Sequence, residues 1–181
     1  VMQYSPQYAG LILMLNPVFL SFVSPLSGHL SDKIGSEILT FIGLVLISIG
    51  MLFMAGLNEH SGLLHIMVLI AIMSIGMGLF QSPNTSLIMS TVSRDKLGIA
   101  GSINALIRNL GMVCGIALTT TVLYSMMSAK LGYRVSDYVP GRNDAFIYGM
   151  KAVYIIAGLI NVLGAALTFI RLMRKKPTEN Q

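Results

Sequence analysis

Residues 60–93 read HSGLLHIMVLIAIMSIGMGLFQSPNTSLIMSTVS, and no Asp, Glu, Lys or Arg stands between Glu59 and Arg94. About 20 consecutive apolar residues suffice to cross a hydrocarbon core of about 30 Å. A charge-free stretch of this length has no counterpart on a water-soluble surface. Lipid offers no partner for open backbone groups, so the stretch is predicted to be a spanning helix. The short alternating strands of a membrane β-barrel are missing from it.

The same pattern recurs on both sides. Five spans are predicted, over about 8–28, 37–57, 63–91, 98–126 and 146–171. The breaks fall at 27–36, 58–62, 92–96 and 127–144, where charges or Gly, Ser and Asn gather. The fold class is therefore all-α, a polytopic membrane helix bundle. Residues 1–176 form one partial transmembrane domain and 177–181 a short cytoplasmic tail. Composition agrees: 54% of the chain is hydrophobic and 10% charged, against about 25% charged in soluble domains. A single cysteine, Cys114, excludes an intrachain disulfide and lies in an apolar run, which marks it as a packing residue. The net charge of +5 does not imply a nucleic-acid partner, because the basic residues sit at the ends of apolar runs. They set orientation instead. Lys33, Arg94, Lys96, Arg171, Arg174, Lys175 and Lys176 lie at one set of ends; Lys130, Arg134, Arg142 and Lys151 lie at the other, offset by Glu59, Asp137 and Asp144. The first set is expected in the cytoplasm, with the N-terminus outside and the C-terminus inside. The first ten residues carry no positive charge and do not read as a signal peptide. Five is an odd number of spans, and an external N-terminus without a signal is awkward to insert. The expected explanation is that upstream helices are missing.

Arg108 is the residue least suited to lipid. It lies about ten residues into the fourth span, roughly 15 Å deep at 1.5 Å per residue, where an arginine costs at least about 2.5 kcal/mol unless it meets a cavity or a partner. Gly101, Asn104, Arg108, Gly111, Gly115 and Thr119 follow steps of three and four and form one small, polar stripe. Two readings stand side by side: Arg108 and Asn104 line a transport route, or Arg108 bonds backbone carbonyls at a helix interface. Gly111 and Gly115 form a Gly-x-x-x-Gly pair suited to helix packing, as is Gly101. In the third span Pro83 removes a ladder hydrogen bond and is expected to bend the helix. Gln81, Ser82, Asn84 and Thr85 surround it, either lining a cavity or mending the backbone. Asn16 beside Pro17, and Asn161 in the fifth span, pose the same choice. The thirteen methionines are bundle filling or the lining of a promiscuous apolar pocket.

The first break reads Gly28-His-Leu-Ser-Asp-Lys-Ile-Gly-Ser-Glu37. It resembles the loop motif of the major facilitator superfamily, with Gly28, Leu30, Ser31, Asp32, Lys33 and Gly35 matching. Ser36 and Glu37 depart from it, where the family usually has a basic pair; that suits the weaker copy of the motif found in C-terminal halves. Residues 76–93 are similar to the Gly-x-Gly-x-x-x-x-Pro-Asn segment of the fourteen-helix drug/proton antiporters of the EmrB/QacA type. Residues 98–118 are similar to the helix that follows it there, with Arg108 and Gly111 as its Arg-x-x-Gly. The resemblance covers essentially the whole chain and implies its last five helices.

What the resemblance implies is multidrug efflux from a bacterial inner membrane. Small amphipathic, often cationic compounds would leave by proton antiport through alternating access, with a proton gradient and no other cofactor or metal. The partners implied are the missing N-terminal transmembrane half, the lipid bilayer and the small-molecule substrate; a periplasmic adaptor is left open. Asp32 would sit against a neighbouring helix N-terminus, where the dipole favours an anion, and Lys33 would pair across the cytoplasmic face. These contacts would latch one conformation; the alternative is a plain turn in which Gly28 and Gly35 supply tight backbone angles. No carboxylate lies inside a span, so this segment alone is not expected to couple transport to protons. Other classes remain: a non-transporting membrane subunit or scaffold, or a carrier for another solute. An intramembrane enzyme is set aside, because no Ser–His or paired-Asp site lies within the spans.

Overall fold

The computed structural model describes residues 6–59 and 61–174. Five helices occupy them: α1 Pro6–Ile34, α2 Ser36–Ala55, α3 Leu63–Ser90, α4 Leu97–Leu131 and α5 Asn143–Arg174, with a single 3-10 turn at Arg94–Lys96 before α4. All five are long and apolar enough to cross a bilayer, and no strand occurs among the described residues. The expected tail, 177–181, lies outside them, as do Lys175 and Lys176.

The helices outrun the predicted spans. α1 continues through 28–34, so the first break is one residue, Gly35, at φ 92°. A Cβ there would be strained, which is why the chain reverses at that point. The expected loop at 28–34 is thus corrected to the last two turns of α1. Its Ser, Asp and Gly residues read as helix breakers, but with 29 residues α1 is about 43 Å long and projects past the hydrocarbon. Similarly α4 runs to Leu131 and is capped by Gly132 at φ 78°, whose amide donates to the Ser128 carbonyl. Pro17 and Pro25 lie inside α1 and Pro83 inside α3.

α2 packs against α3 on one side and α5 on the other; α1 covers α3, and α4 leans on α5. Small residues set these approaches, as expected where lipid removes the hydrophobic drive between helices. A Cβ on Gly43 would fall 2.6 Å from the Gly76 carbonyl oxygen, and one on Gly76 2.8 Å from that of Gly43. The backbones of α2 and α3 therefore touch. Gly78 admits Val23 of α1, Gly158 admits Leu52, and Gly149 lies against the Leu123 carbonyl. The apolar core is slight: Met54, Leu57 and Leu69 form its main cluster, joined at the edge by Ile66, Met150 and Tyr154. Buried hydroxyls complete it without loose ends. Ser27 donates to the Gly78 carbonyl at 2.9 Å, Ser74 to that of Ile70, and Ser48 to that of Leu44. Large apolar side chains such as Leu13, Phe22, Leu64 and Leu167 point outward, which suits an acyl-chain solvent.

Candidate transport face

The loop-motif residues divide into two groups. Gly28 and Ser31 turn inward: a Cβ on Gly28 would sit 3.3 Å from the Ser82 hydroxyl, and the Ser31 and Ser36 hydroxyls meet at 2.5 Å. Gly28 thus lets the end of α1 pack on α3 beside Pro83, which is fully buried, while the Ser31–Ser36 contact ties it to the start of α2. Asp32 and Lys33 are exposed and form no ion pair among the described residues. Glu37, which departs from the motif, is held instead: its Oε1 lies 3.4 Å from Nη2 of Arg171, at the far end of α5. Phe41 and Phe169, their rings 5.4 Å apart, close the same seam. From the sequence, Glu37 reads only as a departure from the motif that suits its weaker copy. It is an anchor between α2 and α5, placed in the first turn of α2, where the dipole favours it.

Around Pro83 the amides do not mend the backbone. Thr85 Oγ1 donates to the Gln81 carbonyl at 2.9 Å and Ser27 to that of Gly78, whereas the side-chain amides of Gln81 and Asn84 are half-exposed and make no hydrogen bond among the described residues. Asn16 and Pro17 are exposed on α1. Asn161 differs: it is half-buried and donates to the Ala157 carbonyl at 3.1 Å and to Met51 Sδ at 3.5 Å.

The α4 stripe lies uncovered over most of its length. Nothing stands within 4 Å of a Cβ placed on Gly111 or Gly115, and Gly101 meets only Met89 Cε, at 3.8 Å. Among the described residues the Gly-x-x-x-Gly pair seats no helix. Cys114 is exposed too, against its expected packing role. Arg108 is exposed and Asn104 half-exposed. Arg108 has neither a carboxylate nor a carbonyl partner among the described residues, so none of these supplies the interface carbonyls of the alternative reading. No hydrogen bond joins Asn16, Gln81, Asn84, Asn104 or Arg108 to one another. Beyond Arg108 the stripe runs into a cleft of about 410 Å³ between α4 and α5, lined by Gly115, Thr119, Val122, Ile156 and Asn161 among others. From the sequence, Asn161 is the one residue picked out on the α5 wall of this cleft; its apolar neighbours Val153, Ile156 and Ile160 are not. Among the described residues no three His, Cys, Asp or Glu gather as metal ligands.

A model of the Major Facilitator Superfamily matches residues 2–181. The chain is 32% identical, over 94% of its length, to the riboflavin transporter RibZ of Clostridioides difficile, and covers 36% of that protein. It is 28% identical to the uncharacterized MFS-type transporter YcnB of Bacillus subtilis, over 95% of the chain and 35% of the relative. It is 29% identical to the multidrug resistance protein Stp of Mycobacterium tuberculosis, over 76% of the chain and 25% of the relative. The chain thus spans about a third of the length of the curated relatives it matches. No solved structure matches.

Proposed function

The chain belongs to the major facilitator superfamily, and from that premise we propose that it is part of a secondary active exporter of small amphipathic compounds, driven by proton antiport. Members of this family are transporters rather than enzymes. The observation that carries the reading is Arg108: an exposed cation inside a span, without a partner among the described residues, on a polar stripe whose Gly111 and Gly115 no described helix approaches. In lipid that face is costly; facing a water-filled route between two transporter halves, it is satisfied. The missing N-terminal half supplies the opposite wall. Arg108, Asn104, Gln81, Asn84, Asn16 and Asn161 contribute to the route from this side. Asp32 and Lys33, unpaired here, serve as the conformational latch toward that half. Gly28 and Gly35 permit the close approach and the reversal that present them. The similarity to the multidrug resistance protein Stp and to the drug efflux pump JefA supports efflux; the fourteen-helix drug/proton branch rests on the motif resemblance of residues 76–93 and 98–118. The predicted inner-membrane placement, with the C-terminus inside, follows from the same reading.

The test uses the full-length protein in everted membrane vesicles. Acidifying the lumen should drive uptake of an amphipathic fluorescent dye, and a protonophore should abolish it. Vesicles holding only residues 1–181 should show none, since no carboxylate lies within a span. Dye uptake by that segment alone would refute the assignment of coupling to the other half. A second reading, a carrier for one particular solute, is favoured by the similarity to RibZ. Riboflavin movement in the same vesicles, with no movement of unrelated dyes, would select it.

A further inference from the structure

The charges set deepest within the helices share one sign. Among the described residues, only Arg108 and Lys151 are charged side chains placed more than two turns from either end of their helix. Both are cations. The carboxylates stand at helix ends or in loops: Asp32 in the last turn of α1, Glu37 at the start of α2 facing Arg171, Asp144 at the start of α5 facing Arg142. Lys151 lies about 120° round α5 from Ala157, at 100° per residue, and so away from the α4–α5 cleft. Arg108 lies on the cleft's own side. Asn104, Arg108, Gly115 and Thr119 fall within an arc of about 60° on α4, and the last two line the cleft.

We infer that Arg108, with Asn104, receives the anionic or acceptor-rich polar group of the transported compound, whose flat apolar body lies in the α4–α5 cleft. This rests on the transport reading above and revises the cationic substrate that the resemblance implies: among the described residues no carboxylate lies more than two turns inside a helix to pair with a cation. A guanidinium presents five donors and no acceptor, and the neighbouring Asn104 amide adds two more. The cleft supplies the complementary apolar part, with Val122, Ile156 and Ile160 on its walls and only Thr119 and Asn161 as polar contacts. A bound lipid does not account for the arrangement. Arg108 is about 9 Å from the midpoint of α4 at 1.5 Å per residue, deeper than a phosphate headgroup sits in a hydrocarbon core of about 30 Å.

Matched xanthene dyes test it in everted vesicles of the full-length protein: fluorescein, an anion, against a cationic rhodamine ester of similar shape. The wild type should transport fluorescein about tenfold faster than the rhodamine. Arg108→Gln should remove that preference, Arg108→Glu should invert it, and Arg108→Lys should keep part of it. An independent arm needs no active variant. In a Cys114→Ser background, Asn104→Cys should react with a membrane-impermeant thiol reagent, and fluorescein should protect it. Rhodamine transport equal to or faster than fluorescein transport in the wild type, unchanged in Arg108→Gln, would overturn the charge assignment while leaving export intact. An Asn104→Cys thiol that never reacts would show that another helix covers this face, and would overturn it as well. Failure to move either dye or riboflavin, at normal membrane abundance, would sink the export reading and this inference with it.

Discussion

Two regions of the bundle use glycine in opposite ways. Between α2 and α3, Gly43 and Gly76 bring two backbones into contact, and each occupies space that a single methyl would overfill. Along α4, Gly111 and Gly115 also stand well inside their helix but have nothing within 4 Å. The first pair is a finished interface, the second an unfinished one. The difference teaches that a small-residue stripe reports close approach without saying to what. In the α2–α3 case the partner lies in the chain. In the α4 case the stripe also carries Arg108, which no lipid-facing helix would tolerate cheaply.

The largest expected effect breaks the finished side. Gly43→Val would set its Cβ 2.6 Å from the Gly76 carbonyl oxygen and 2.7 Å from the Phe80 backbone nitrogen, neither of which can rotate away. Overpacking of this kind costs about 1–3 kcal/mol, and the upper end is expected because the obstruction is backbone. Full-length protein carrying it should accumulate poorly in the membrane and aggregate on detergent extraction, measured by fluorescence-detected size exclusion. Normal accumulation would mean that α2 and α3 do not touch at Gly43.

The unfinished side gives the sharper contrast. Gly111→Leu should change the stability of the isolated 1–181 segment by less than about 0.5 kcal/mol, because the side chain enters open space. In the full-length transporter the same change should cut transport at least about tenfold, with abundance reduced much less than by Gly43→Val. Equal, mild behaviour in both contexts would show that this face stays turned to lipid.

These contrasts mark how far the sequence could be read. The five spans were legible because hydrophobic length is a one-dimensional property, and their centres agree with α1–α5. The helix ends were not, since the same Ser, Asp and Gly residues terminate a helix in water and continue one through the headgroups. Residues 28–34 are the instance. Gly43, seven residues before Gly50 and therefore on the same face of α2, carried a faint signal that no reading of polar residues would raise. The partner of Glu37 lies on the last helix, and nothing local announces Arg171. Arg108 stood out because burial of an arginine in a span is costly whatever surrounds it. Asn161 stood out on α5 as a lone amide in an apolar span, but that it shares a cleft with Gly115 and Thr119 of α4 required the packing of two helices.

A hydroxyl comes next in size. Ser27 is fully buried and spans α1 and α3 through the Gly78 carbonyl. Ser27→Ala should cost about 0.6 kcal/mol, the mean for hydrogen bonds between membrane helices, visible as a fall of a few degrees in the detergent melting temperature. Thr85→Val, which removes a bond within one helix only, should cost less.

The smallest effect tests the seam between the start of α2 and the end of α5. Arg171 is 61% exposed while the Glu37 carboxylate is 12% exposed, so the two ends of this ion pair are unequal. Water already solvates the guanidinium, and Arg171 is not the sole partner of Glu37. Arg171→Ala should therefore cost only about 0.5 kcal/mol and matter less as salt rises, as for other exposed pairs. Glu37→Lys should cost more, because it sets a cation at the positive end of the α2 dipole and opposite Arg171. If Glu37→Lys instead matched the wild type, restoring the usual charge of the motif at that position would be harmless, and Glu37 would no longer be an anchor that ties α5 to the Gly35 end of the finished interface.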